Sequence, residues 1–311
     1  MGENKLYDVI IVGGGPAGLS AALILGRCLR TVMIFDGGKP RNLKSKELHG
    51  FLSRDGTNPM ELLRISKEQL KKYKIDINPI EIVRAKCLDK NFEVEDQNGV
   101  IYYAKKLLIA TGIVDEIPPL DGIDKLYGNS VFHCPYCDGF EVKLQPLAVY
   151  GHGKSGAGLA IVLTNWSDDV ILFTNGKDIT EEEKVMLELK DIKVVNSTID
   201  RLEGENGILK RVIFTDGSFI ERSAMFFTTD QYQRSNIAEQ LGCKFTDKGI
   251  IKAGKFQNSS IPGVYVAGDA ARDMQLVMMA AADGAKAAVI INKALQKEEK
   301  MLKKIGRFIE H

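Results

Sequence analysis

Residues 6–36 constrain the fold more than any other stretch. Leu6-Tyr7-Asp8-Val9-Ile10-Ile11-Val12 reads as a mostly apolar strand, and Gly13-Gly14-Gly15-Pro16-Ala17-Gly18 follows as a glycine turn. Leu19 through Leu25 has the composition of a helix, and Thr31-Val32-Met33-Ile34-Phe35 is a second apolar run ending in Asp36. Strand, glycine turn, helix, strand and acid is the order in which a Rossmann unit holds a dinucleotide. Gly13 permits the tight turn, Gly15 lets the main chain approach a pyrophosphate, and Gly18 lets helix and strand pack closely. The helix N-terminus offers free amides to the phosphates. A carboxylate at Asp36 can bond a ribose diol and repels a 2′-phosphate. The expected adenosine half is therefore that of FAD or NAD rather than NADP.

The chain then repeats this plan. Gln145 through Tyr150 is a strand, Gly151-His152-Gly153-Lys154-Ser155-Gly156 a turn, Ala157 through Leu163 a helix, and Val170-Ile171-Leu172-Phe173 the next strand. The expected fold class is α/β, with two Rossmann-like dinucleotide-binding domains. The end of the second unit's second strand reads differently from the first. Thr174-Asn175-Gly176-Lys177-Asp178, then Glu181-Glu182-Glu183, offers one lysine among acids. A 2′-phosphate would call for arginines there, and no carboxylate suited to NADH ends the strand. The acidic run is expected to be the solvated first turn of a helix capped by Thr180. Trp166, the single tryptophan, is expected in interdomain or surface packing.

Length and composition set the outer limits. The chain has 311 residues, 44% hydrophobic and 27% charged, which suits about two globular domains. A net charge of +1 gives no global basic field for nucleic acid or anionic lipid. No apolar stretch is long enough to span a membrane. Met1 through Lys5 lacks the pattern of a secretory signal, so a cytoplasmic location is expected. Five cysteines, an odd number, make a poor disulfide scaffold. Cys28, Cys87 and Cys243 read as ordinary thiols.

Cys134-Pro135-Tyr136-Cys137 stands apart. Such a pair is half of a zinc knuckle, a structural disulfide or a redox pair. Zinc needs four ligands; no second CxxC is present, and His133 sits too close to Cys134 to share one tetrahedral site easily. A disulfide spanning two residues closes almost no loop and adds little stability. The reactive dithiol remains: one thiolate exchanges while its partner resolves the mixed disulfide. Asp138 is placed to pass a proton to or from a leaving thiolate, or else to cap a helix or turn. His133 is a candidate base or thiolate stabiliser, or else a packing residue. No metal site is expected.

Two further landmarks complete the pattern. Leu107-Leu108-Ile109 runs into Ala110-Thr111-Gly112, and Val264-Tyr265-Val266-Ala267 runs into Gly268-Asp269, followed by Gln275 and an Ala-rich helix that includes Ala280. With the first glycine turn and the Cys134–Asp138 motif, the whole chain resembles the low-molecular-weight thioredoxin reductase-like flavoproteins. That resemblance implies FAD as cofactor, held by Gly13, Gly15, Pro16, Ala17, Gly18, Asp36, Asn42, His49, Ala110, Thr111, Gly112, Gly268, Asp269, Gln275 and Ala280. It also implies that Cys137 faces the flavin, Cys134 meets the substrate disulfide and Asp138 donates the proton. The protein would be a homodimer with thioredoxin or a similar small redox protein as partner.

Asp36 through Asn42 and His49 through Gly56, together with Phe132-His133-Cys134-Pro135-Tyr136-Cys137, resemble one branch more specifically. That branch includes ferredoxin-dependent flavin thioredoxin reductases and lies near the dithiol oxidases of small sulfur metabolites. The expected function is thus an FAD-dependent thiol–disulfide oxidoreductase in which NADPH use is weak or absent and reduced ferredoxin is a donor. The alternatives are an oxygen-dependent dithiol oxidase of a small molecule and a conventional NADPH-dependent thioredoxin reductase. By the same resemblance the second domain, about 118–243, is inserted into a discontinuous FAD domain, about 1–115 and 246–311. Hinges are expected near Pro118 and Lys244. Asn98-Gly99, Asn206-Gly207 and Asp216-Gly217 should turn hairpins. The Lys-rich helix from about Ala287 to Phe308 is expected to serve surface or dimer packing.

Overall fold

In chain order the elements are β1 (Leu6–Val12), α1 (Pro16–Arg27), β2 (Val32–Phe35), α2 (Pro59–Leu70), β3 (Ile75–Asn78), β4 (Ile82–Cys87), β5 (Phe92–Asp96), β6 (Ile101–Ile109) and β7 (Ile113–Asp115). They continue as β8 (Val131–Phe132), α3 (Pro135–Asp138), β9 (Leu147–Tyr150), α4 (Gly153–Leu163), β10 (Val170–Phe173), α5 (Glu181–Glu188), β11 (Lys193–Val195), β12 (Ile199–Glu205), β13 (Ile208–Phe214), β14 (Phe219–Glu221) and β15 (Ala224–Phe227). The chain closes with β16 (Gln231–Gln233), α6 (Ile237–Gln240), β17 (Val264–Val266) and α7 (Val277–Ile309). The computed structural model describes residues 5–309, with side chains to Leu302. The reading of Met1 to Asn4 lies outside it. Among the described residues no helix is long and apolar enough to cross a membrane.

The chain divides into two compact units. One comprises Met1–Leu43, Met60–Val114 and Gln231–His311; the other comprises Lys44–Pro59 and Asp115–Asp230. In the first unit, β3-β2-β1-β6 run parallel, and β6 carries β17 in parallel on its C-terminal half and β5 in antiparallel on its N-terminal half. Side chains alternate across a strand, and β1 shows the result. Ile10 and Val12 pack with Phe35, Leu107 and Ile109 on one face, while Val9 and Ile11 pack with Leu25, Ala287 and Ile291 on the other. Burial on both faces is why Val9 to Val12 are apolar without a break. Helices α1 and α7 approach closely because residue 284 is glycine: a Cβ there would lie 1.9 Å from the Ala17 carbonyl oxygen.

In the second unit, β11-β10-β9-β15-β8 form an all-parallel sheet and β12-β13-β14 an antiparallel one. The α/β class and both Rossmann-like units are therefore present. The three expected turns form, with Gly99, Gly207 and Gly217 at positive φ. Asn206 also has positive φ, so that turn is of the kind that matches strand twist.

The division differs from the sequence expectation in two respects. The return falls at Asp230 rather than near 243, because Ile237, Ala238, Leu241 and Cys243 are buried with Ile10 and Val12 in the first unit's core. The second unit also claims Lys44–Pro59, far upstream in sequence. Gly128 shows how closely that strap is held: a Cβ there would lie 2.5 Å from the Lys44 carbonyl oxygen.

Candidate active site

In the first unit the expected nucleotide residues gather where β1, β2, β6 and β17 end, which is where open α/β sheets bind ligands. Gly13 has φ +117, and a Cβ there would meet the Ala110 carbonyl oxygen at 2.1 Å and the Thr111 nitrogen at 3.0 Å. A Cβ on Gly18 would meet the Gly13 oxygen at 1.9 Å, and one on Gly14 the Asp36 carboxyl carbon at 2.4 Å. A Cβ on Gly268 would lie 2.9 Å from that of Ala17 and 3.5 Å from that of Ala280. These glycines thus bring Ala17, Asp36, Ala110, Thr111, Asp269 and Ala280 to one place.

Two features show room for a ligand. Gly15, the N-cap of α1 directly before Pro16, has nothing within 4 Å of its Cβ direction. The Thr111 hydroxyl is buried and has no hydrogen-bond partner among the described residues, which costs free energy unless something bonds it. Gly112, at φ +69, likewise faces open space. An open approach at the N-terminus of a 12-residue helix, with a buried hydroxyl awaiting a partner, fits a dinucleotide phosphate and its sugar.

Sequence reasoning missed the cations around this place. Asp36 Oδ2 receives Lys67 Nζ at 2.6 Å, and its Oδ1 accepts the Gly38 amide at 3.0 Å. Arg41 Nη1 lies 3.1 Å from Asp269 Oδ2, with both side chains largely buried. Asn42 follows Arg41 half-buried in a turn. Gln275 and Gln231 exchange amide hydrogen bonds of 2.7 and 3.0 Å. No sequence signal announces these partners, since each pair joins distant segments. Arg41 at least lies inside the Asp36–Asn42 segment singled out above.

The second unit holds the redox pair. Cys134 and Cys137 form a disulfide, Cα–Cα 5.3 Å. Cys134 is the extended N-cap of α3, Pro135 its first residue, and the Cys137 and Asp138 amides both donate to the Cys134 carbonyl. Pro135 suits this start because its missing N–H needs no partner in a first turn. Trp166 supports the motif from below: a Cβ on Gly139 would come within 2.9 Å of its ring, and Tyr136 meets the ring edge-on at 5.8 Å. The tryptophan therefore packs within this unit, against the residues that carry the cysteines.

His133 Nδ1 pairs with the Tyr127 hydroxyl at 3.2 Å, and its Nε2 lies 3.8 Å from Asp115, whose side chain is almost wholly buried. Asp138 is half-buried. Burial is the main cause that pushes its carboxyl up to about 7; Glu141 adds to this and His49 opposes it. A carboxyl with that value exchanges protons readily near neutral pH. His49, expected among the cofactor residues, lies in the second unit with Asp138 rather than in the first with the glycine turn.

The second nucleotide turn keeps its shape. A Cβ on Gly156 would lie 2.6 Å from the Gly151 carbonyl carbon, so strand and helix pack tightly there. The end of β10 is satisfied internally. Thr174 donates to Asn196 at 2.8 Å, and Asn175 donates to Tyr150 at 3.2 Å and accepts from the Ile199 amide at 2.8 Å. Lys154 lies 3.9 Å from Glu182. Thr180 caps α5 as expected, through a capping box with Glu183. That third acid is buried rather than solvated, because the box folds it back.

Comparison with known proteins agrees with this geometry. The sequence pattern described as pyridine nucleotide-disulphide oxidoreductase matches residues 7–284. The chain belongs to that family. A probable thioredoxin reductase of Arthroderma benhamiae is 32% identical over 307 residues, covering 88% of this chain and 76% of the relative. Among solved structures, a putative thioredoxin reductase TrxB of Bacillus anthracis is 33% identical, with TM-score 0.90, covering 94% of this chain and 99% of its own. HlmI is 32% identical, with TM-score 0.94 and 99% coverage of both chains. Membership in the low-molecular-weight, thioredoxin reductase-like part of the family implies FAD. With the Cys134–Cys137 pair it makes the protein an FAD-dependent disulfide reductase.

Proposed function

We propose that the protein takes electrons from a reduced nicotinamide nucleotide and delivers them, through the Cys134–Cys137 pair, to the disulfide of a thioredoxin-type partner. The carrying observation is the disulfide at the start of α3, directly before a carboxyl that titrates near 7. FAD, when bound, supplies the two electrons that open this disulfide. Gly13, Gly15, Pro16, Ala17, Gly18 and Thr111 would hold its phosphates and neighbouring sugar, with Asp36 at the adenosine ribose and Asp269 at the ribityl chain. Gly112, Gly268, Ala280, Asn42 and Gln275 would complete the site. Cys134 then attacks the partner disulfide, Cys137 resolves the mixed disulfide, and Asp138 gives its proton to the departing thiolate. His133, held by Tyr127 and Asp115, steadies the thiolate charge. The pattern matched and the relatives named rank a nicotinamide nucleotide above ferredoxin as donor. We further propose a homodimer, testable by sedimentation.

One observation favours a second reading, an oxygen-dependent dithiol oxidase of a small molecule. Thr174 and Asn175 at the end of β10 are bonded to Asn196, Tyr150 and Ile199, and residues 174–183 contain no arginine to pair a 2′-phosphate. The test is anaerobic titration of the FAD-loaded protein, following flavin absorbance. Stoichiometric bleaching by NADPH or NADH supports the first reading. Bleaching by dithiols alone, with oxygen uptake on admitting air, supports the second. Bleaching by reduced ferredoxin alone would overturn both.

A further inference from the structure

Asp283 interrupts the Ala-rich start of α7. It lies in the second turn of that helix and is only 4% exposed, where a carboxylate is costly to bury and a poor helix former. Two side chains hold it. Arg272 grips both oxygens, Nε to Oδ2 at 2.7 Å and Nη2 to Oδ1 at 2.6 Å, and the buried Gln257 amide donates to Oδ1 at 2.7 Å. Each of the two comes from a different stretch beside Gly268 and Asp269. The Gln257 carbonyl accepts the Val266 amide of β17, the strand that runs into those residues. Arg272 follows them, and its carbonyl accepts the Gln275 side chain at 3.2 Å. The residue that clamps Asp283 with its guanidinium thus carries Gln275 on its main chain.

A buried ion pair adds little net stability, because desolvation offsets the attraction. We propose that this one serves geometry instead: Arg272 and Asp283 are positioning residues for the flavin site. Their pair locks residues 272–276, the connection from Asp269 to α7, and so sets where Gln275 meets the cofactor. Gln231 exchanges amide bonds with Gln275 and holds the tip of the same side chain. The inference rests on the placement of Gln275 in the FAD site proposed above.

The test measures the midpoint potential and visible spectrum of the FAD-loaded protein, its FAD affinity, and urea unfolding without FAD. Arg272→Met combined with Asp283→Leu removes both charges at once, so stability without FAD should stay near wild type. FAD should nonetheless bind about fivefold more weakly, the worth of one hydrogen bond. The potential and the flavin bands should move in the direction in which Gln275→Leu moves them. Adding Gln275→Leu to the double variant should move them no further, because both changes act through one side chain. Arg272→Lys keeps the charge without the two-pronged grip and should give a smaller shift of the same sign, a readout usable if the double variant folds poorly. A wild-type potential and FAD affinity in both clamp variants, or effects that add to those of Gln275→Leu, would overturn the inference. If Gln275→Leu itself leaves potential, spectrum and affinity unchanged, the placement of Gln275 at the flavin fails and the inference falls with it.

Discussion

At Asp138, burial couples the protonation of the carboxyl to the stability of the fold. Its carboxyl lies near 7 in the folded chain against an ordinary 3.8, so folding favours the protonated form. The stability it contributes is fully present below the ordinary value and is lost as pH rises through about 7. Asp138→Asn should therefore unfold at a higher temperature than wild type at alkaline pH, with the advantage shrinking as pH falls below about 7 and gone only below 3.8. The same substitution should slow disulfide exchange by on the order of 10²–10⁴, seen in stopped-flow reduction of a protein disulfide. The motif Cys134–Asp138 was legible because all its members are neighbours in sequence. The pairs Arg41–Asp269, Lys67–Asp36 and His49–Glu141 were not, because only the folded chain brings them together.

Among the elements, the glycines of α1 and α7 make separable predictions. Gly15→Ala meets no atom in the fold, so the flavin-free protein should keep its stability to within about 0.5 kcal/mol. Its FAD affinity should nonetheless fall by on the order of tenfold or more, because the added methyl fills the approach to the helix N-terminus. Gly284→Ala is the converse. Its Cβ would collide with the Ala17 carbonyl, and overpacking of this kind costs about 1–3 kcal/mol, readable by urea unfolding. Thr180→Ala removes a capping box from the 8-residue α5 and should cost about 1 kcal/mol. Strands and glycine turns were readable because their signals are local. The placement of 231–243 was not, since a short helix such as α6 carries no mark of which core it will join.

For the whole molecule, the sequence disclosed two nucleotide-type units but not how the chain is shared between them. The second glycine turn keeps a nucleotide-binding shape, while the residues ending β10 offer no arginine clamp for a 2′-phosphate. The anaerobic titration decides between these at the scale where the question belongs. The Lys44–Pro59 strap adds a constraint of another sort. Because the redox unit draws on two stretches of chain, the backbone passes between units four times. The unit is therefore not a cassette. A gene fragment or recombination event with breakpoints at 115 and 230 would transplant both cysteines and Asp138 yet leave His49 behind. Grafting the intact unit onto another scaffold, or exchanging it between relatives, requires moving both stretches together.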